Sequence, residues 1–84
     1  MTKLNTIQKA IINSLTFTEP FDTLVEEVSA SEPVIAAELK DLIDQRMVQV
    51  MEDVDGKWKK SFYYDSDNMR SFSYQATAKG LEAK

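Results

Sequence analysis

The stretch Ala30-Ser-Glu-Pro-Val-Ile-Ala-Ala-Glu-Leu-Lys-Asp-Leu-Ile-Asp-Gln-Arg-Met-Val-Gln-Val50 decides the fold of this 84-residue chain. Ser31 is of a type that caps helix N-termini, and the Glu-Pro pair after it suits a first helical turn. Apolar residues then recur at steps of three and four and form one helical stripe: Ile35, Leu39 and Leu42. The period changes to that of a strand shortly afterwards. We therefore predict a helix over about 32–45 that leads directly into a strand over about 48–54.

Two shorter helical patterns precede this stretch, at about 3–15 and 22–28. The first has apolar residues at helical spacing: Leu4, Ile7, Ile11 and Leu15. Pro20 separates the two patterns, because proline disfavours a helical conformation in the residue before it, and Asp22 is placed to cap the second helix. The aromatic residues that flank the break are predicted core anchors: Phe17 and Phe21.

The second half of the chain has the pattern of an antiparallel sheet. Asp55-Gly56 is a strong hairpin signal, since both central positions of a type I′ turn need positive φ. Further strands are predicted over about 57–64 and 71–76, and Thr77 is placed to cap a final helical turn. This order of elements predicts a single α+β domain over residues 1–84, with the helices ahead of an antiparallel sheet.

The composition limits the classes of function. Hydrophobic residues make up 43 % of the chain and charged residues 29 %, which is ordinary for a globular protein. The absence of cysteine and histidine removes disulfides, thiolate metal sites and the commonest general base. We therefore expect neither an enzyme nor a metal or cofactor site. No apolar run approaches the roughly 18 residues that span a bilayer, and the N-terminus is unlike a signal peptide, so we expect a cytoplasmic protein without a membrane partner.

Two segments carry a resemblance to a known superfamily: Ser31-Glu-Pro-x-Ile-x-x-x-Leu-x-x-Leu-x-x-x-x-Met-Val48 and Tyr74-Gln-Ala-Thr-Ala-Lys-Gly-Leu-Glu-Ala83. The first resembles the recognition-helix region, and the second the end of the wing, in winged helix-turn-helix transcriptional regulators of bacteria and archaea. The resemblance implies three helices, an antiparallel wing of two or three strands and a short C-terminal helical turn. It also implies a regulator that binds double-stranded DNA as a homodimer.

Three features depart from the pattern of that superfamily. The turn after the second helix is Ser29-Ala30, where a glycine is common. Arg46 also stands at a usual glycine position, and would cost roughly 1 kcal/mol if the backbone there is left-handed. Residues 57–70 are longer than a two-stranded wing needs and indicate an added strand or a long loop.

The third helix carries the first set of candidate DNA-binding residues. By position in the resemblance, its groove-facing side presents Ser31, Val34, Ala36, Ala37 and Lys40. Base edges and phosphates are recognised largely through hydrogen-bond donors, which the valine and alanine side chains lack. Acidic residues on the same helix would repel phosphate unless they point away: Glu32, Glu38, Asp41 and Asp44. The alternative is that this helix is a structural scaffold with a solvated acidic side.

The predicted hairpin carries the second set of candidates: Lys57, Trp58, Lys59 and Lys60. A basic wing with an aromatic residue can follow a DNA backbone or enter the minor groove. The alternative is a solvated hairpin whose lysines protect an edge strand from pairing with another chain. Other cations that would extend a basic patch lie elsewhere in the sequence: Lys3, Lys9 and Arg70.

Two further groups have competing interpretations. The aromatic cluster Trp58, Phe62, Tyr63 and Tyr64 is expected to pack across the third helix, and the alternative is a partner interface with Tyr63 exposed. Aspartates at 53, 55, 65 and 67 suggest calcium, but they lack the glycine and glutamate of an EF-hand loop and are interpreted as turns. The net charge of −4 and the acidic, alanine-rich third helix keep a second function open, a protein–protein interaction module that does not bind DNA.

Overall fold

A computed structural model describes residues 4–61 and 68–83 of the chain, and it confirms an α+β architecture. The helices are α1 (Thr6–Ser14), α2 (Phe21–Glu27), α3 (Glu32–Asp44) and α4 (Ala78–Ala83). The strands are β1 (Glu19–Pro20), β2 (Val48–Val54), β3 (Lys57–Ser61) and β4 (Ser73–Ala76), and a single 3₁₀ turn, Met69–Ser71, precedes β4.

The four strands form one antiparallel sheet in the order β1-β4-β2-β3. The inner half of β2, Val48–Met51, pairs with β4, and its outer half, Val50–Val54, pairs with β3. Beyond Met51, β2 and β3 therefore continue as a two-stranded ribbon. The sequence pattern does not predict β1, because two residues are too few to show the alternation by which strands are recognised.

The core lies between the first three helices and one face of the sheet. The predicted stripe of α3 is confirmed, since Ile35, Leu39 and Leu42 are fully buried. Phe21 is also a core residue, whereas the prediction for Phe17 is wrong, because 74 % of its surface is exposed. The physical reason is that the buried residue at the end of α1 is Leu15, and the chain turns at the surface immediately after it.

Capping interactions set where the helices begin. Asn5 caps α1 through a capping box: its Oδ1 accepts from the Gln8 amide at 2.8 Å, and Gln8 Oε1 accepts from the Asn5 amide at 3.2 Å. The prediction that Asp22 caps α2 is wrong, because Pro20 takes the N-cap position and Asp22 lies in the first turn. Ser31 is the N-cap residue of α3 by position, although its side chain makes no capping hydrogen bond.

The C-terminal half shows the alternation expected of a half-buried strand. Tyr74 and Ala76 of β4 are buried, and the Tyr74 hydroxyl donates to the Met69 carbonyl at 2.7 Å. The predicted cap of the last helix is confirmed, since Thr77 Oγ1 accepts from the Gly80 amide at 3.2 Å. Residues 62–64 of the predicted strand 57–64 lie outside the described residues, and with them the aromatic side chains Phe62, Tyr63 and Tyr64.

Candidate nucleic-acid interface

The outer face of α3 presents four of the five residues expected on its groove side: Ser31, Val34, Ala37 and Lys40, all of them exposed. They recur at steps of three, opposite the buried stripe, because 3.6 residues make one helical turn. The expectation for Ala36 is wrong, since its side chain is half-buried and packs against the core. This outer face thus presents one polar hydroxyl, one ammonium group and a central apolar patch. The exposed surface of α3 also includes three carboxylates, those of Glu32, Asp41 and Asp44.

Two acidic side chains of α3 are directed toward α1. Asn5 Nδ2 donates to Glu38 Oε2 at 3.0 Å. Gln8, which is buried, donates from Nε2 to Asp41 Oδ2 at 2.9 Å, and Gln45 donates to the same oxygen at 2.8 Å. These bonds hold the two carboxylates on the flank of the helix that packs against α1, although the amide donors leave their negative charges in place.

Arg70 holds the third acidic side chain of α3. Its guanidinium makes a bidentate ion pair with Glu32, with N–O distances of 2.8 and 2.6 Å, and also pairs with Asp22 of α2. Its central carbon lies 5.8 Å from the ring centroid of Phe21. The hydrogen bond from Arg70 lowers the pKa of Glu32, and the same bond raises the pKa of Arg70. Arg70 therefore does not extend a basic patch, because two carboxylates offset its charge.

The ribbon formed by β2 and β3 turns at Asp55-Gly56, where φ is 55° and 80°. Both positive angles fit the predicted hairpin turn. All four hairpin candidates are exposed: Lys57, Trp58, Lys59 and Lys60. Because successive side chains of a strand point to opposite faces, Lys57 and Lys59 share one face and Trp58 and Lys60 the other.

Two features of the ribbon differ from the sequence expectations. Trp58 does not pack across α3; half of its surface, 51 %, is exposed, because the ribbon extends beyond the strand β4 that backs the inner half of β2. The positive charge of the lysines is also partly balanced across the strands. Lys59 lies directly opposite Glu52, and Trp58 opposite Asp53.

Two lysines and four aspartates remain among the candidates from the sequence. Lys9 is exposed on α1, and Lys3 lies outside the described residues. Within residues 4–61 and 68–83 there is no group of three side chains that could hold a metal ion. Of the four aspartates considered for calcium, two lie on the ribbon and those at 65 and 67 lie outside the described residues.

Sequence reasoning missed the polar contacts that position α3. The Asn-x-x-Gln spacing of Asn5 and Gln8 is a capping-box pattern that can be recognised in the sequence and predicts the start of α1. No local signal marks Arg70 as the partner of Glu32 and Asp22, because 38 and 48 residues separate them along the chain.

Comparison of the chain with protein-family models, curated proteins and solved structures finds no match. In the part of the chain that the structure describes, no helix has the length and apolar character needed to cross a membrane. The features of the chain that bear on function are therefore the exposed face of α3, the ribbon and their charges.

Proposed function

We propose that the chain is a cytoplasmic winged helix-turn-helix domain that binds duplex DNA as a transcriptional regulator, with α3 in the major groove and the ribbon as the wing. The element order supports this proposal, since three helices lead into an antiparallel sheet and a short last helix. The observation that carries it is the exposure of the outer face of α3, which is formed by Ser31, Val34, Ala37 and Lys40. On the same helix, Glu38 and Asp41 are held toward α1, and Glu32 is held by Arg70.

The chemistry of this surface favours weak discrimination between sequences. Ser31 and Lys40 are the hydrogen-bond donors on the outer face of α3. Val34 and Ala37 offer methyl groups that can contact a thymine methyl. Phosphate contacts from the ribbon lysines then supply most of the affinity, and such contacts are independent of sequence. The expected mode of binding is therefore electrostatic, with a preference for thymine-containing sites.

Fluorescence anisotropy with a labelled random duplex at low salt, about 20 mM, tests this function. We expect binding that weakens as salt is raised, with a slope of log K against log salt of roughly −3 if the three ribbon lysines contact phosphates. The Lys57→Gln/Lys59→Gln/Lys60→Gln variant is expected to lose most of that slope. Lys79→Gln on α4 is the matched control for removal of a surface charge, and absence of binding at low salt would refute the proposal.

A second candidate function is docking of a protein partner or of a second copy of the chain. Trp58 favours it, because tryptophan is a frequent anchor of protein interfaces and half of this side chain is exposed. Val34, with 40 % of its surface exposed, adds an apolar side chain on α3. Trp58 is the single tryptophan of the chain, so its emission reports on the ribbon alone. Dimerisation in sedimentation, with a blue shift of that emission and loss of both in Trp58→Ala, supports this function.

A further inference from the structure

Arg70, in the 3₁₀ turn before β4, connects that turn to α2 and to the N-terminal end of α3. Its Nε and Nη2 atoms donate to the two carboxylate oxygens of Glu32 at 2.8 and 2.6 Å, and its Nη1 atom donates to Asp22 of α2. A bidentate pair of this kind fixes the direction of the carboxylate as well as its distance. The Phe21 ring centroid lies 5.8 Å from the guanidinium carbon. The orientation of the guanidinium is thus set by two carboxylates and one aromatic ring.

The flank of α3 that carries Glu32 faces the body of the protein. Ala36 lies on the same flank, because residues four apart share a helical face, and it is half-buried against the core. Glu32 itself is exposed, so its bonds to Arg70, rather than burial, hold its carboxylate on this flank. The preceding residue, Ser31, begins the outer face assigned to DNA. A rotation of the Glu32 side chain toward Ser31 would bring a negative charge to that face.

The charge at this end of α3 also depends on Arg70. Asp22 and Glu32 are both exposed carboxylates, and within residues 4–61 and 68–83 the one cation paired with either of them is Arg70. Loss of the guanidinium would leave two unpaired negative charges at the end with which a recognition helix contacts base edges. They would repel phosphates within a Debye length, which is about 10 Å at 0.1 M salt. Arg70 therefore limits repulsion where α3 approaches the duplex.

We infer that Arg70 is a positioning residue for duplex binding, which holds the carboxylates of Glu32 and Asp22 away from the phosphates without contacting DNA itself. The inference rests on the proposed function and adds to it a residue that lies outside both α3 and the ribbon. Because Arg70 acts through its two carboxylate partners, its contribution to affinity depends on their presence. A direct phosphate contact would not depend on them, and this difference can be measured.

Fluorescence anisotropy with the random duplex at about 20 mM salt compares the full chain with its variants. We expect Arg70→Gln to bind about fivefold more weakly, because the charge of Glu32 is released and no longer offset. Glu32→Gln/Arg70→Gln is expected to regain most of this loss, since the released side chain is then neutral. Glu26→Gln/Arg70→Gln makes the same change of net charge at an exposed carboxylate of α2 that Arg70 does not contact, and it is expected to stay weak.

The dependence of affinity on salt separates positioning from direct contact. A positioning residue leaves the number of neutralised phosphates unchanged, so Arg70→Gln is expected to keep the parent slope of log K against log salt. A slope shallower by roughly 1, without recovery in Glu32→Gln/Arg70→Gln, would identify a phosphate contact and overturn the inference. Equal recovery in Glu26→Gln/Arg70→Gln would overturn it as well, because net charge alone would then explain the loss.

Affinities are measured at a temperature where circular dichroism shows each variant to be folded, so a loss of binding does not reflect unfolding. Arg70→Lys, a milder change that keeps the charge and loses the bidentate geometry, is expected to bind about twofold more weakly. Parent binding that Arg70→Gln leaves unchanged would overturn this inference and leave the proposed function standing. Absence of binding by the parent would refute the proposed function, and this inference with it.

Discussion

Arg46 illustrates how a single residue can lower the stability of a helix end that is otherwise well formed. Its backbone closes α3 with both expected hydrogen bonds, yet its φ of 64° is unfavourable for a residue with a Cβ atom. We expect Arg46→Gly to raise the free energy of unfolding by about 0.5 kcal/mol, since relief of the left-handed strain exceeds the added freedom of the unfolded chain. Urea denaturation measures this change. Arg46→Ala keeps the Cβ atom and is expected to show no gain.

Gly80 of α4 is required for a different reason. A Cβ atom at this position would overlap the backbone carbonyl oxygen of Met47, which belongs to the turn between α3 and β2. We expect Gly80→Ala to lower the free energy of unfolding by about 2 kcal/mol, because neither backbone can move without disturbing the packing of α4. Glu82→Ala, an exposed substitution on the same helix, is the control in thermal or urea denaturation. Equal stabilities of the two variants would contradict this close approach.

The residues that sequence analysis placed correctly are those whose environment follows from local periodicity. Ile35, Leu39 and Leu42 are buried because a helix repeats every 3.6 residues, whichever neighbour covers it. Phe17 and Phe21 have no such constraint, and only the three-dimensional path of the chain decides which of them enters the core. Arg46 lies between these cases. The sequence marks its position, because glycine is usual there, but its φ is known only from the structure.

At the scale of elements, α3 was predicted nearly to the residue, whereas the contacts that present its outer face were not. The helix runs over Glu32–Asp44, against a prediction of about 32–45. Three of its four carboxylates are held by Asn5, Gln8 and Arg70, which lie more than thirty residues away along the chain. Long-range polar pairing of this kind leaves no periodic signal. The sequence therefore predicts the helix of the candidate site but not the contacts that hold its carboxylates.

The ion pairs of Arg70 connect the 3₁₀ turn before β4 to α2 and α3, and they give a pH dependence. Because Arg70 lowers the pKa of Glu32 below its ordinary value of 4.5, their contribution to stability is present above that value and is lost as pH falls through the lowered pKa. We expect Arg70→Gln to have a lower Tm than the parent at pH 7. The difference is expected to narrow below pH 4.5 as Glu32 is protonated.

Thermal melts by circular dichroism across this pH range check the effect. Glu26→Gln, an exposed carboxylate change on α2 outside the Arg70 cluster, is the control. A difference in Tm between parent and Arg70→Gln that stays constant from neutral to acidic pH would show that the ion pair with Glu32 contributes nothing.

For the whole molecule, the change of partner along β2 divides the sheet into two parts. Val48–Met51 pairs with β4, with Val50 and Met51 also paired to β3, and this part carries the buried Val48 and Val50. From Glu52 onward β2 pairs with β3 alone. Isolated two-stranded ribbons are marginally stable in water, so we expect amides of the ribbon beyond Glu52 to exchange with solvent on the order of tenfold faster than those of the inner half. Residue-resolved hydrogen exchange measures this, and uniform protection along β2 would contradict it.

The net charge of −4 bears on the proposed function at the same scale. Acidic residues outnumber basic ones by 14 to 10, so positive potential has to be local to attract a duplex. Lys57, Lys59 and Lys60 supply such a region, partly offset by Glu52 and Asp53. The class of fold can thus be predicted from composition and element order. The balance of charge across the ribbon cannot, because it depends on the register in which β2 and β3 pair.

The position of the Asp55-Gly56 turn at the outer end of the ribbon has a consequence for engineering. Both turn residues are exposed, and a Cβ atom at Gly56 would meet nothing within 4 Å, so the turn can be lengthened, or replaced by a foreign epitope, without altering the core. This small cysteine-free chain is therefore suited to display a grafted loop, with fluorescence from the adjacent indole reporting when the graft meets its target.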